Sequence, residues 1–218
     1  MSYKTLESGI ASINKKLIAM GAAVESQVEL AVRSLLERDF EMAEDVKSGD
    51  KLVDDLMRQV EDEAVRIIAT LQPVASDLRI LFTTIKVVTD LERAGDHAVD
   101  IARVSTNISD EEISFLSNEI RAMKDTCIRM IHEGLDSFVS LDSEKAYEVT
   151  KLDDIIDDNY VASVRKLYAH VKQEPGFALM AAQLNFAMKY LERIGDHMTN
   201  VCEWTIYIET GEHVELNL

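Results

Sequence analysis

The chain has 218 residues, only 8 glycines and 2 prolines, and a formal net charge of −17. So few turn-forming residues, with many Ala, Leu, Glu, Lys and Met residues, favour an all-α protein. The negative charge argues against a nucleic-acid-binding surface and against docking on anionic lipid headgroups, whereas it suits a protein that meets cations or basic partners. Cys127 and Cys202 have neither metal-site spacing nor a disulfide framework, so a reducing cytoplasm is expected.

Apolar residues recur at three- and four-residue steps, which predicts six long helices. In chain order the predicted helices cover about 3–38, 40–71, 75–107, 111–140, 143–172 and 175–210. Asp39 is the expected N-cap of the second helix, and Pro73 ends it. Residues 107–112 are expected to form a hinge. No stretch is long and apolar enough for a membrane span, so direct membrane insertion is not expected.

The two halves of the chain resemble each other. The matching pairs are 39–43 with 142–146, Asp50 with Asp153, Asp54 with Asp157, Pro73 with Pro175 and 91–97 with 191–197. The chain is therefore predicted to be a tandem repeat of a three-helix unit, with one bundle in residues 1–108 and the other in 109–218. The linkers are short, so neighbouring helices should be antiparallel.

One heptapeptide is almost identical in the two halves, LERAGDH at 91–97 and LERIGDH at 191–197. The thirteen positions before it, 78–90 and 178–190, share no identity. Core packing tolerates exchanges between apolar residues of similar volume, so packing alone does not require identical residues in the two heptapeptides. A stricter constraint is expected to act on the heptapeptide.

The heptapeptides begin two ladders of oxygen-bearing side chains. Residues at i, i+4 and i+8 lie on one helix face, and like charges there repel. Such stacked carboxylates suit a hard cation with oxygen ligands. The candidate metal ligands are Glu92, Asp96 and Asp100 in the first ladder, Glu192, Asp196 and Asn200 in the second, and Asp50, Asp54, Asp153 and Asp157 on the facing helices. The alternative is a solvated acidic face, in a chain with 40 Asp and Glu residues.

Other residues of the heptapeptides have expected structural roles. A glycine within a helix costs about 1 kcal/mol relative to Ala, so Gly95 and Gly195 suggest that another helix backbone passes close by. His97 and His197 lack the Glu-x-x-His spacing of di-iron and zinc sites, and are expected to bond a neighbouring helix or support the ligands. Arg93 and Arg193 are expected to pair with nearby carboxylates, and a salt bridge between helices is the simplest form of such a pair.

No catalytic signature is present: the chain has no phosphate-binding loop, dinucleotide fingerprint or Ser-His-Asp pattern. The protein is therefore not expected to be an enzyme.

The two heptapeptides, the three-helix repeat and LQPVASDLR at 71–79 together resemble the PhoU family, the accessory regulators of bacterial phosphate-specific transport. The resemblance covers nearly the whole chain. It implies a fold of two three-helix bundles and multinuclear metal clusters held by Glu/Asp-x-x-x-Asp motifs, which here are Glu92 with Asp96 and Glu192 with Asp196. The metal could be Fe, Mn, Mg or Zn.

The same resemblance implies a cytoplasmic, usually dimeric adaptor. It would link the ATPase of the phosphate ABC transporter to a sensor histidine kinase, and would help to switch off phosphate-starvation genes when phosphate is plentiful. The two repeats differ at two positions, which suggests that their metal sites differ in affinity or nuclearity. Asn200 replaces the carboxylate of Asp100, and Arg103 stands where the second repeat has Glu203.

Two other interpretations remain open from the residues alone. The first is a metal-buffering bundle with no signalling role. The second is a helical adaptor whose acidic face docks on a basic partner without metal.

Overall fold

The computed structural model describes residues 2–108 and 113–216, and within these ranges the only regular structure is helical. The α-helices are α1 (Ser2–Glu37), α2 (Phe40–Leu71), α3 (Ala75–Ser105), α4 (Ser117–Ser140), α5 (Ser143–Thr150), α6 (Asp153–Gln173) and α7 (Ala178–Thr210). Single 3₁₀ turns at Ser114–Leu116 and Pro175–Phe177 precede α4 and α7. The all-α class and the six-helix plan are confirmed, with α5 and α6 together in the place of the fifth predicted helix.

Each repeat packs as a three-helix bundle, and the two bundles lie side by side. Helices α1 and α3 of the first repeat contact α4 and α7 of the second, while α2 and the α5–α6 pair lie on the two outer sides. The apolar residues that recur at steps of three and four along α1, from Ile13 to Leu35, are buried, and so are most of those along α2, from Ala43 to Ile67. No described helix has an apolar stretch long enough to cross a membrane.

The connection between the first two helices is built in the same way in both repeats. Asp39 is an N-cap whose carboxylate accepts from the backbone N–H of Glu41 at 2.9 Å, which confirms the prediction, and Asp142 caps α5 through Lys145 N–H. The preceding residues, Arg38 and Leu141, both have left-handed backbone, with φ of 59° and 58°. Because Asp39 and Asp142 cap their helices in the same way, and Arg38 and Leu141 share a left-handed backbone, the similarity between the repeats includes this turn.

We expect Leu141→Gly to stabilise the protein by about 0.5–1 kcal/mol, because glycine removes the left-handed strain at a modest cost in unfolded-state entropy. Urea unfolding measures the change. Ser140→Gly, one residue earlier and inside α4, is the control and should destabilise. Equal effects of the two substitutions would contradict the strain argument.

The fifth predicted helix is not continuous. It is interrupted at Lys151 and Leu152, where Leu152 N–H donates to Val149 O and Ile155 N–H donates to Leu152 O in tight three-residue steps. The Thr150 hydroxyl also donates to the carbonyl of Tyr147, which competes with the helical ladder. Helix α2 has no such interruption at the matching position, Gly49.

The boundary between the repeats stays a prediction. Residues 109–112 of the expected hinge lie outside the described residues, as does the predicted division between 108 and 109. The predicted start of the fourth helix at about 111 also falls there, and α4 begins at Ser117 after the 3₁₀ turn Ser114–Leu116.

Candidate metal centres

The two heptapeptides pack against each other, because α3 and α7 are antiparallel neighbours. The His97 and Tyr190 rings are stacked with centroids 5.6 Å apart, and Asp90 Oδ1 lies 3.0 Å from His197 Nδ1. Residues 91–100 and 191–200 have the same order of buried, half-buried and exposed positions. The two heptapeptides are therefore related by a pseudo-twofold axis between the repeats. Each one has the same pattern of burial within its own repeat.

Side chains, and no helix backbone, lie closest to the two heptapeptide glycines, so the predicted close approach of a backbone is wrong. A Cβ on Gly95 would lie 3.1 Å from Gln27 Oε1 and 3.5 Å from Val53 Cγ1. A Cβ on Gly195 would lie 2.5 Å from Asp153 Oδ1. Gly195 thus leaves room for a carboxylate from α6 against the surface of α7.

The second acidic cluster consists of Asp153 and Asp157 on α6 with Glu192 and Asp196 on α7. Asp153 Oδ1 and Glu192 Oε2 are buried, and no described donor meets hydrogen-bond geometry with them, although the Thr199 hydroxyl lies near enough to Asp153 to lower its pKa slightly. Burial, and then the charges of Asp157, Asp196 and Glu192, raise the pKa of Asp153 to about 7. Burial and neighbouring carboxylates also raise the pKa values of Asp157 and Asp196. Four predicted ligands thus interact at one place, where burial and mutual repulsion disfavour the charged form of Asp153.

The first acidic cluster is the equivalent in the other repeat, with Asp50 and Asp54 on α2 and Glu92 and Asp96 on α3. Burial is the main cause that raises the pKa of Asp50, followed by Asp96 and Asp54. Burial and then Asp96 likewise raise the pKa of Glu92. Arg103 lowers the pKa of Asp50, so this arginine offsets part of the first cluster and the two clusters differ electrostatically.

The third members of the ladders lie at the contact between the repeats. Asp100 accepts from Arg103 Nη1 at 2.7 Å and lies 3.9 Å from His97 Nδ1. Asn200 donates to Asp90 Oδ1 at 3.1 Å. One turn beyond Asn200, Glu203 accepts from the backbone N–H of Leu216 at 2.6 Å and so holds the C-terminal segment. Asp100 and Asn200 are therefore engaged away from the two four-carboxylate clusters.

The cations nearest the clusters come from the same helices as the carboxylates. Arg93 pairs with Asp96 at 3.1 Å, Arg193 pairs with Asp196 at 3.0 Å, and Lys189 pairs with Glu192. The predicted pairing of these arginines with nearby carboxylates is confirmed. The pairs form within one helix, because residues three apart are already neighbours there, and do not bridge two helices. No three acidic, His or Cys side chains in the described ranges converge as a metal site requires. Metal binding at either cluster would need these carboxylates to rotate away from their ion pairs.

The two histidines have different surroundings. His197 bonds Asp90 across α3 and α7, as predicted for a histidine that bonds a neighbouring helix. His97 Nδ1 is buried and has no hydrogen-bond partner among the described residues. Burial, and then the neighbouring His197, lower the pKa of His97.

Both cysteines are buried and free. Burial raises the pKa of Cys202 to about 12 and that of Cys127 higher still, so neither is a thiolate at neutral pH.

Sequence reasoning missed Asp90 and Tyr190, which occupy the same position before the two heptapeptides. The two residues are of different types, and neither belongs to a recognisable metal-ligand motif. Only the antiparallel packing of α3 on α7 places each of them against the histidine of the other repeat.

We expect Asp90→Ala to destabilise the protein by about 1–3 kcal/mol, because His197 and Asn200 would lose their shared acceptor at a largely buried contact. Denaturant unfolding measures the change. Thr89→Ala is the matched control, since Thr89 is exposed and its hydroxyl bonds only its own helix. If both substitutions cost the same, the contact between the repeats does not depend on Asp90.

Comparisons with known proteins agree with this architecture. The PhoU domain family model matches residues 17–105 and 120–205, once in each repeat. The phosphate-specific transport system accessory protein PhoU homolog of Clostridium acetobutylicum is 41% identical over 218 residues, which is 100% of both chains. The accessory protein PhoU of Escherichia coli is 31% identical over 201 residues, 92% of this chain and 83% of its own.

Solved structures show the same fold. The crystal structure of PhoU from Pseudomonas aeruginosa matches with a TM-score of 0.86 and 33% identity, over 94% of this chain and 99% of that one. The phosphate transport system regulatory protein PhoU from Streptococcus pneumoniae matches with a TM-score of 0.88 and 25% identity, over 96% and 99% of the two chains.

Proposed function

Because this chain belongs to the PhoU family, we propose that it is an accessory regulator of phosphate-specific transport, which represses phosphate uptake and the phosphate-starvation response when phosphate is plentiful. The observation that supports this most strongly is the 41% identity to a phosphate-specific transport accessory protein over the full length of both chains. No catalytic step is part of the proposal.

The proposed regulator acts as a homodimeric adaptor in the cytoplasm. Its partners would be the ATPase of a phosphate ABC transporter and a sensor histidine kinase. The two buried, unpaired cysteines suit a reducing compartment. The large negative charge suits basic partner surfaces and speeds encounters with them.

The proposal includes a cation at each acidic cluster. Asp153, Asp157, Glu192 and Asp196 would hold one, and Asp50, Asp54, Glu92 and Asp96 the other. The donors are carboxylate oxygens, which suit Fe, Mn or Mg and also occur around Zn. The unbonded oxygen of Asp153 and its raised pKa support the fit at the second cluster, since a cation would offset the repulsion between Asp153 and the neighbouring carboxylates. Bound cations would link the outer helices α2 and α6 to α3 and α7.

Deletion and complementation in the native host test the regulatory role. In phosphate-rich medium, the deletion strain should express phosphate-starvation transcripts, and the wild-type gene should repress them again. A variant with Asp50→Asn and Asp153→Asn, checked for expression, tests whether the clusters are needed. If the deletion leaves both the transcripts and phosphate uptake unchanged, the regulatory role is wrong and metal buffering becomes the better interpretation.

An affinity pull-down from the same host tests the adaptor role. Cross-linked complexes from cells grown with high and low phosphate are identified by mass spectrometry. Recovery of a phosphate-transporter ATPase or a sensor kinase, in amounts that depend on phosphate, is the expected result. Recovery of neither under both conditions would exclude the adaptor role.

A further inference from the structure

Helix α6 has an exposed stripe of six residues along its outer face. The residues follow one another at steps of three and four and therefore line one side of the helix. We call Asp154, Asp158, Val161, Arg165, Tyr168 and Lys172 the α6 stripe. All six are exposed, and Tyr168 is 67% and Val161 45% accessible. Val164, also exposed, lies beside the middle of the stripe.

The charges of the α6 stripe are separated along the helix. Asp154 and Asp158 lie in its first half, Arg165 and Lys172 lie in its second half, and apolar side chains lie between and beside them. Within the described parts of the chain, these four charged residues form no ion pair with one another or with any other residue; Lys172 Nζ instead lies 5.4 Å from the centre of the Tyr168 ring. The helix dipole favours acidic residues in the first turn and basic ones in the last turn, but Asp158 and Arg165 lie further inside.

The first repeat provides an internal comparison. The matching positions on α2 are Lys51, Asp55, Arg58, Asp62, Val65 and Ala69. There the signs of the charges alternate, and Arg58 pairs within the helix with Asp54 at 3.3 Å and with Asp55 at 3.5 Å. Since both outer helices have the same place in the fold, the separated charges of α6 are not required for folding.

We propose that the α6 stripe is the surface through which two copies of this chain associate, with their α6 helices antiparallel around a twofold axis near Val161 and Val164. In this arrangement Asp154 and Asp158 of each copy face Lys172 and Arg165 of its partner. The exposed valines meet at the centre, and each Tyr168 lies near the partner's acidic half. A parallel arrangement would place like charges together, so the charge pattern selects the antiparallel one. Such a twofold contact is closed and uses the same patch on both copies.

The contact is a small one. Helix α6 has 21 residues, and one helix packed on another buries less than the roughly 1,200 Å² of a standard stable interface. The dimer should therefore be weak, with a dissociation constant in the micromolar range, and its ion pairs should make it sensitive to salt. The inference adds a surface to the homodimer of the proposed function and does not depend on metal or on phosphate signalling.

Sedimentation velocity of the full chain over a range of concentrations tests the proposal, in EDTA so that metal cannot bridge two copies. One variant combines Asp154→Lys with Asp158→Lys, and a second combines Arg165→Glu with Lys172→Glu. Each variant alone should dimerise about 10- to 100-fold more weakly, because like charges now face each other at both ends of the pair. An equimolar mixture of the two should form a heterodimer, since their charges are again complementary in the antiparallel arrangement.

The matched control is the combination Lys51→Glu with Asp62→Lys on α2, which should leave dimerisation unchanged. Circular dichroism and thermal melting show whether each variant is folded. Rescue in the mixture would establish that the two α6 stripes pair with each other through these charges. Charge variants that dimerise as well as the wild type would overturn this surface alone. A wild-type chain that stays monomeric would overturn both this surface and the homodimer of the proposed function. The regulation of phosphate uptake is tested separately by the deletion strain.

Discussion

Asp153→Asn should make the metal-free protein more stable at pH 8, by about 2 kcal/mol. Asp153 is a half-buried carboxylate whose Oδ1 accepts no hydrogen bond from the described residues and faces Asp157, Glu192 and Asp196. Its pKa of about 7, compared with 3.8 for a free carboxyl, corresponds to about 4 kcal/mol at 1.36 kcal/mol for each pH unit. Partial solvent exposure reduces this to about half.

The sign of the pH dependence follows from this raised pKa. Below about pH 4 the carboxyl is protonated in both the folded and the unfolded protein, so it does not affect stability. As the pH rises from about 4 to 7, the unfolded chain ionises first and the folded state loses stability; above pH 7 the full cost is present. The gain from Asp153→Asn should therefore appear between pH 4 and 7 and be constant above it. Urea unfolding in EDTA at several pH values measures this window.

The same substitution should weaken metal binding. Manganese added to the wild type should raise its melting temperature, since a ligand that binds only the folded state stabilises it. Because the cation competes with a proton on Asp153, affinity at the second cluster should fall about 30-fold from pH 8 to pH 5.5. Calorimetric titration of the wild type and Asp153→Asn should show the loss of one class of sites.

Two control variants complete this experiment. Asp50→Asn removes the matching carboxylate of the first cluster and should spare the second class of sites. Asp62→Asn changes an exposed carboxylate of α2 and should alter neither stability nor metal binding. A variant Asp153→Asn that binds manganese as tightly as the wild type, at the same stoichiometry, would exclude Asp153 as a ligand.

The helices and the clusters could be predicted because local rules determine them. Apolar residues at three- and four-residue steps located the six helical segments, and Asp39 and Pro73 marked the ends of α2. The repeat predicted that Asp50 and Asp54 would face Glu92 and Asp96. Helices joined by short linkers must be antiparallel, so few arrangements of the three helices in each repeat were possible.

The details that could not be predicted depend on how two helices meet. The sequence shows that Gly195 is unusual for a helix, but only the packing of α6 on α7 shows that an Asp153 oxygen lies against it. The bond from His197 to Asp90 joins residues 107 positions apart in different repeats. The interruption at Lys151 and Leu152 contains no proline or glycine, so periodicity alone predicted one continuous helix.

Gly195→Ala should destabilise the protein and weaken the second metal site together. The new methyl group would lie 2.5 Å from Asp153 Oδ1 and 2.8 Å from Ile156 Cδ1, closer than atoms can approach. Alanine gains about 1 kcal/mol in helix propensity, but the displaced carboxylate and isoleucine should cost about 1–3 kcal/mol more than that. Urea unfolding and manganese titration at pH 8 measure the two effects.

The matching substitution in the first repeat isolates the role of Asp153. A methyl group on Gly95 would lie 3.1 Å from Gln27 Oε1 and 3.5 Å from Val53. Small shifts relieve these contacts, so Gly95→Ala should change stability by less than about 1 kcal/mol, with helix propensity offsetting the crowding. It should leave manganese binding at the second cluster intact.

A double-mutant cycle then assigns the cause. In a chain that already has Asp153→Ala, the carboxylate is gone and only the flexible end of Ile156 must move, so Gly195→Ala should cost much less than in the wild type. If Gly195→Ala costs the same in both backgrounds, the crowding comes from Ile156 and not from the carboxylate. The glycine would then be needed for packing, and the near-identity of the two heptapeptides would require a reason other than the room that Gly195 leaves for Asp153.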